Sequence, residues 1–309
     1  MKPLFLFSEK NGQYRIKTPA KINLYFEILG KRSGGFHEIE SIIAPIDLYD
    51  ELILDPRESR SGKITLRIAE DPTGSLPADE RNLIVKAANL LRSESGRSDL
   101  SDLAITLNKR IPVEAGLGGG SSDAAAVLFA LNRIWKLDLN QKDLIKLGAR
   151  LGSDIPLFFA SGPVLCRGRG EILSPFAAPK MILLLFKPPR GLSTREVYDL
   201  SDQLPSSDRR SVQAILNDPS LLMRGGLFNR LEKAAEILYP DLRDFKDILR
   251  GPKIEQILMS GSGSALFALC PDEETAHEKK RNLDQKYPGS AFIVRNLVPD
   301  SGELLKEDS

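Results

Sequence analysis

Between Ala20 and Ile28 the side chains alternate. Ile22, Leu24, Phe26 and Ile28 share one face, and Lys21, Asn23, Tyr25 and Glu27 share the other. That period of two predicts a strand. Shorter stretches predict strands at 51–54, at 63–68 and at 103–107. The pattern then turns helical. Asn82 stands as an N-cap before Leu83, Ile84 and Val85, an alanine-rich run predicts a helix reaching about Trp135, and Asn140 caps another that Gly152 stops after Leu151. From Pro163 onward the sequence predicts strands at 163–167, 181–186, 256–259, 265–270 and 291–295. There a capping box at Ser193–Glu196 opens a helix that carries Tyr198, and further helices fall at about 227–238, about 241–250 and 271–286. Residues 71–79 form a turn-rich connector, and 201–226 read as polar loop or short helix. Antiparallel-type strands with segregated helices make this an α+β chain. Its 309 residues suit two lobes, divided as 1–165 and 166–309.

One segment breaks both periods. From Pro112 the chain runs through Val113, Glu114, Ala115, Gly116, Leu117, Gly118, Gly119, Gly120, Ser121 and Ser122 into the alanine-rich helix. Glycines let consecutive N–H groups turn towards one anion, and the helix start adds its own unpaired N–H groups and positive dipole end. Ser121 and Ser122 are placed to bond a phosphate oxygen or a Mg²⁺ ion. This is a polyphosphate cradle rather than a flexible linker. No lysine precedes the serines as a Walker loop requires, and Ser121 occupies the third glycine position of a dinucleotide fingerprint.

Composition narrows the class. The chain is 41% hydrophobic and 28% charged with a net charge of +1, so nucleic acid is not an expected partner. No apolar run approaches a membrane span, and Leu4–Phe7 is too short for a signal peptide, so a cytoplasmic protein without a membrane partner is expected. Cys166 and Cys270 are the only cysteines, each in an apolar context, and read as buried thiols in a reducing compartment.

Several residues have two readings each. Lys21 is a solvated strand lysine or a catalytic cation. Asn82 is at minimum a helix cap. Asp154 lies between a glycine stop and the apolar run Ile155–Phe159, as a second cap or as an acid held for a purpose. Phe36 and His37 follow a glycine loop, where an aromatic ring can stack on a flat ring and an imidazole can bond a base edge. Gly261, Ser262 and Gly263 make a second glycine turn between strands.

Three separated stretches resemble a single family, the GHMP kinases: Pro19–Leu24, the glycine loop 112–122, and Gly261–Ser264. The strings at 19–25, 34–38, 82–88 and 151–158 resemble the branch of that family whose substrate is a cytidine diphosphate-linked methylerythritol. The resemblance spans nearly the whole chain, most weakly at 55–80 and 201–226. It implies an N-terminal lobe like ribosomal protein S5 domain 2 and a ferredoxin-like C-terminal lobe. It also implies transfer of the ATP γ-phosphoryl group to the tertiary 2-hydroxyl of that substrate, in the non-mevalonate route to isopentenyl diphosphate, with ATP and Mg²⁺ as cofactors.

By the same resemblance Asp154 is the catalytic aspartate and Lys21 its partner. Residues 112–122 hold the ATP phosphates, Ser122 lies at the metal, and Asn82 and Lys109 lie near the nucleotide. Phe36 and His37 clamp the cytidine with Tyr198, while Asn23, Thr194, Gly261 and Ser262 are further substrate contacts. Two positions depart from the family pattern. Phe36 stands where tyrosine is frequent, and Asp123 stands where asparagine is common, adding a negative charge near the phosphates. The competing implications are a mevalonate or homoserine kinase and a silent nucleotide-binding protein on the same fold. A monomer or homodimer is expected.

Overall fold

The strand predicted at 20–28 is longer than its alternation suggests, because its polar face is buried too. In the computed structural model, which describes residues 4–32, 35–71, 74, 76–205 and 211–299, Lys21, Asn23, Tyr25 and Glu27 are all buried beside Ile22, Leu24 and Phe26. The chain begins with strands β1 (Leu6–Lys10), β2 (Gln13–Lys31), β3 (His37–Pro56) and β4 (Ile64–Glu70). Helix α1 (Leu83–Ser95), strand β5 (Leu103–Asn108) and helices α2 (Gly119–Ile134) and α3 (Gln141–Leu151) follow. Next come β6 (Val164–Gly168), β7 (Ile172–Pro175), β8 (Ile182–Phe186), α4 (Thr194–Ser201) and α5 (Gln213–Asn217). The chain continues through β9 (Phe228–Asn229), α6 (Glu232–Leu238), α7 (Asp241–Leu249), β10 (Ile257–Met259), β11 (Leu266–Cys270), α8 (Glu273–Lys286) and β12 (Ala291–Arg295). Gly34 of the Phe36–His37 loop, residues 72, 73 and 75 of the connector, and 206–210 of the polar segment lie outside the described residues.

Two compact units interleave along the chain. The first comprises residues up to Ala20, Leu48–Val113 and Gly118–Ser161, and the second Lys21–Asp47, Glu114–Leu117 and the chain from Gly162 onward. Strands β2 and β3 therefore pass from one unit into the other, and so does the glycine loop.

In the first unit β1 pairs antiparallel with the start of β2, and the end of β3 pairs antiparallel with β5. β4 pairs parallel with β5. That parallel pair departs from the antiparallel expectation, and α1 supplies the crossover connection that parallel neighbours need. Helices α1, α2 and α3 pack on one another, and α2 is buried all round at Ala124, Ala125, Ala126, Val127 and Leu128. Phe5 closes the core against Phe129 and Phe159. Asn82 caps α1 by accepting from the Ile84 N–H at 2.9 Å, and Asn140 caps α3.

In the second unit β10, β11, β8 and β12 form a four-stranded antiparallel sheet in that order. Residues of α4, α6, α7 and α8 join its buried side chains in a single core with Phe186, Leu184, Leu266 and Met259. The start of β3 pairs with β6, and β9 adds two residues parallel to β2 at Tyr25 and Phe26. Helix α6 starts later than the predicted 227 because Phe228 and Asn229 are spent on that pairing. Both cysteines are buried and outside any disulfide, and burial pushes the Cys270 thiol up to about 11. No described helix is long and apolar enough to cross a membrane.

Candidate active site

Helix α2 starts from Gly118, whose φ of 69° lies in the left-handed region that glycine adopts without strain. The N–H groups of Gly119, Gly120 and Ser121 have no intrahelical acceptor and carry the positive end of the helix dipole. Of the two serines, Ser122 is fully buried. Its hydroxyl donates to the Pro19 carbonyl at 2.6 Å and is hydrogen-bonded to the Thr18 hydroxyl. Ser121 is half-buried, and its hydroxyl has no partner among the described residues.

Beneath this helix start lies a cluster of three buried charged groups. The Lys109 ammonium bonds Asp50 and stands 3.6 Å from Asp123. It also lies so close to Gly119 that a Cβ there would come within 2.6 Å of it. Asp50 accepts from the backbone N–H groups of Arg110 at 2.6 Å and Ile111 at 2.8 Å, anchoring the strand end that feeds the glycine loop. Burial drives the Lys109 pKa down, but the charges of Asp123 and Asp50 outweigh it and hold the ammonium above its usual range. Burial and the neighbouring Asp50 push the Asp123 carboxyl well above the carboxylate range, against the pull of Lys109, and its Oδ1 has no hydrogen-bond partner. The sequence singled out Lys109 and Asp123 but missed Asp50. The available signal was an acid on the inward face that Leu52 and Leu54 share.

Asp154 belongs to the same unit, half-buried in the turn between α3 and the 3-10 turn Pro156–Phe159. Asn82 has its oxygen on Ile84 and its amide on the Pro77 carbonyl at 2.8 Å, so its side chain is engaged in capping.

The second unit gathers parts of all three motifs. Lys21, itself 5% exposed, donates to Asn23 Oδ1 at 2.7 Å, and Asn23 Nδ2 donates to the Ser41 hydroxyl at 2.9 Å. The glycine loop is held by its backbone: the Lys21 N–H bonds the Leu117 carbonyl at 3.0 Å and the Ser260 hydroxyl bonds the Gly116 carbonyl at 3.0 Å. The Ser264 and Ala265 N–H groups bond the Glu114 and Ala115 carbonyls at 3.3 and 3.2 Å. Gly261 lies over Lys21 and Asn23, since a Cβ there would stand 3.0 Å from Asn23 Oδ1 and 3.3 Å from Lys21 Nζ. Asn229 fixes this turn by donating to the Met259 and Gly261 carbonyls at 2.8 and 2.7 Å. Its sequence context, inside a predicted helix, concealed that role. Thr194, at the start of α4, hydrogen-bonds the Ser262 hydroxyl at 2.8 Å. Pro112 and Val113 are half-buried at the loop entry.

A second cluster in this unit surrounds His37. Its ring packs on Tyr198 with centroids 4.9 Å apart, and Tyr198 meets Phe26 edge-on. Phe36 is 50% exposed, with the Arg169 guanidinium 3.5 Å above its ring. His37 Nε2 bonds Asp202 Oδ1 at 2.7 Å while Lys31 bonds Asp202 Oδ2 at 2.6 Å. Partial burial pushes the Asp202 carboxyl up, but the Lys31 and His37 hydrogen bonds outweigh it and hold it below the usual range. Asp202 lies in the polar segment that sequence reading passed over. Among the described residues no three His, Cys, Asp or Glu side chains form a metal cluster.

Two family models match the chain, the GHMP kinases N terminal domain over residues 82–162 and the GHMP kinases C terminal over 185–289. A 4-diphosphocytidyl-2-C-methyl-D-erythritol kinase of Brevibacillus brevis is 38% identical, covering 94% of this chain and 98% of its own. One from Shouchella clausii is 39% identical, with coverage of 96% and 98%. A crystal structure of 4-(cytidine 5'-diphospho)-2C-methyl-D-erythritol kinase superposes with a TM-score of 0.76 at 33% identity, over 92% of this chain and 100% of that one.

Proposed function

The chain belongs to the GHMP kinases, among the 4-diphosphocytidyl-2-C-methyl-D-erythritol kinases, and on that premise we propose how its residues perform that reaction. The enzyme is an ATP-dependent small-molecule kinase. It phosphorylates the 2-hydroxyl of 4-diphosphocytidyl-2-C-methyl-D-erythritol, a step of isoprenoid synthesis, and we place it in the cytoplasm. Residues 1–165 correspond in this reading to the family's N-terminal lobe and 166–309 to its C-terminal lobe.

The observation that carries the assignment of the phosphate site is the joining of three motifs in one unit. Lys21 and Asn23, the Glu114–Leu117 backbone and the Ser260–Ala265 turn are tied together by hydrogen bonds. The loop 112–122 receives the ATP phosphates on the N–H groups at the start of α2, with Asn82 and Lys109 near the nucleotide. Lys109 acts from below that loop, because its ammonium is engaged with Asp50. The metal fits the partly exposed Ser121 better than Ser122, whose hydroxyl is already bonded twice. Mg²⁺ bound there with the nucleotide phosphates would neutralise their charge.

The hydroxyl oxygen forms the new bond to the γ-phosphorus as the bond from that phosphorus to the ADP oxygen breaks. Asp154 accepts the hydroxyl proton, and the Lys21 ammonium offsets charge on the transferring group. A tertiary alcohol is a weak acid and phosphoryl transfer is largely dissociative, so positioning outweighs full deprotonation. Phe36, His37 and Tyr198 take the cytosine, with Asn23, Thr194, Gly261 and Ser262 along the rest of the substrate. The test is ADP release from Mg·ATP with the cytidyl substrate, run beside mevalonate and homoserine. Turnover confined to the cytidyl compound is expected. Comparable turnover with either other alcohol would overturn the substrate, and nucleotide binding without any turnover would point to a silent binder.

A further inference from the structure

Asp202 touches none of the residues assigned to phosphate chemistry, yet it joins the ends of three elements. It follows the last residue of α4, and its two carboxylate oxygens bond Lys31 at the end of β2 and His37 at the start of β3. An ionised carboxylate only accepts hydrogen bonds, so the imidazole nitrogen facing it must carry the proton. His37 Nδ1 has no hydrogen-bond partner among the described residues. With Nε2 protonated, a neutral imidazole presents Nδ1 as a bare acceptor.

We propose that Asp202 is a specificity-determining positioning residue: it holds His37 as the Nε2–H tautomer so that Nδ1 accepts from the exocyclic amine of an aminopyrimidine and rejects a carbonyl at the same place. This rests on the assignment of His37 to the base-binding site. Cytosine carries an amine donor at the position where uracil carries a carbonyl acceptor. Against an acceptor nitrogen, uracil would set two acceptors face to face and leave a buried polar group unpaired. Ring contact with Tyr198 positions the imidazole plane, and Asp202 sets which nitrogen is protonated.

Lys31 makes the inference sharp. An ammonium only donates, so it requires an oxygen from its partner. In Asp202→Asn the single amide oxygen goes to Lys31 and the amide NH₂ turns to His37. Nε2 must then accept, and the proton moves to Nδ1, which becomes a donor. The variant is therefore expected to prefer the carbonyl-bearing base rather than merely bind both weakly.

The test uses the full chain with CDP and UDP as probes, alongside ¹⁵N spectra of the imidazoles. The sequence holds two histidines, so a His277→Gln variant assigns the His37 signals. The wild type should show the Nε2–H form and bind CDP over UDP by about tenfold or more, the scale of one good hydrogen bond. Asp202→Asn should show the Nδ1–H form with the CDP-to-UDP ratio falling below one. Its KM for the cytidyl substrate should rise while kcat and the KM for ATP hold. Adding Lys31→Met to that variant should abolish the reversal, because the amide can then turn either face to His37.

An Nδ1–H wild type would overturn the proposal, as would an Asp202→Asn protein that keeps the cytosine preference. Failure of the wild type to bind CDP would strike the assignment of the base site instead. The ligand-free tautomer spectrum judges the hold of Asp202 on His37 separately from that outcome.

Discussion

At the residue scale, Asp123 sets an acid in a place where an acid is costly. Its side chain is sealed from water, Asp50 lies in the same cluster, and among the described residues Lys109 is the one cation paired with both. One ammonium cannot balance two buried carboxylates, so the Asp123 carboxyl stays protonated well above its ordinary 3.8. The native state therefore binds this proton more tightly than the unfolded chain. Stability from it is fully present below the unfolded pKa and is lost as pH rises through the raised folded value. Asp123→Asn should flatten this dependence, with denaturation midpoints of variant and wild type converging at acid pH and the variant gaining at alkaline pH. A urea series across pH reads the difference, and parallel curves would show that Asp123 is ionised in the native protein. The sequence marked Asp123 as an added charge near the phosphates. It could not show that strand β3 delivers Asp50 to the same ammonium, because that meeting joins positions far apart in the chain.

At the element scale, the glycines of the loop divide into those the fold needs and those a ligand needs. Gly116 has φ +71°, and a Cβ there would run into the Ser260 carbonyl. Gly120 is exposed, inside α2, and a Cβ there meets only Leu83 Cδ1 at 3.7 Å. Gly116→Ala should thus lose at least about 1 kcal/mol of stability from the left-handed backbone alone, with more from the clash. Gly120→Ala should fold with unchanged or slightly higher stability, since alanine is the better helix former. It should still weaken nucleotide binding if that face of α2 receives phosphate. Thermal melts with and without Mg·ATP separate the two effects, and equal nucleotide response in wild type and Gly120→Ala would move the phosphates off this helix start. The loop and its helix were legible because glycine followed by an alanine-rich run has few other uses. Strand β3 was legible only at 51–54. Its buried stretch from Ile42 to Ile46 has no alternation and contains Pro45, so periodicity could not distinguish it from a loop or a buried helix segment.

At the scale of the whole molecule, the proposed chemistry draws on residues that the sequence scatters from Lys21 to Ser262. Separated motifs in a fixed order made the kinase class legible, whereas the ties that hold them were not. Asn229, Ser41 and Ser260 act through a few hydrogen bonds each to backbone or to a motif side chain, and such contacts leave no periodic trace. Asp154 tests whether this division of labour is right. It lies half-buried in the turn after α3, within the first unit, and the loop segment Glu114–Leu117 is anchored by groups of the second. If Asp154 serves only the hydroxyl proton, Asp154→Asn removes a base and leaves the phosphate loop intact. Turnover should fall by roughly 10²–10⁴, the usual worth of a positioned general base. The rise in melting temperature on adding Mg·ATP should persist, because a ligand stabilises the state it binds regardless of turnover. Loss of both together would make Asp154 part of nucleotide binding. Retention of turnover would transfer its proposed role to positioning and charge supplied by Lys21 and the loop, leaving the alcohol to lose its proton to solvent.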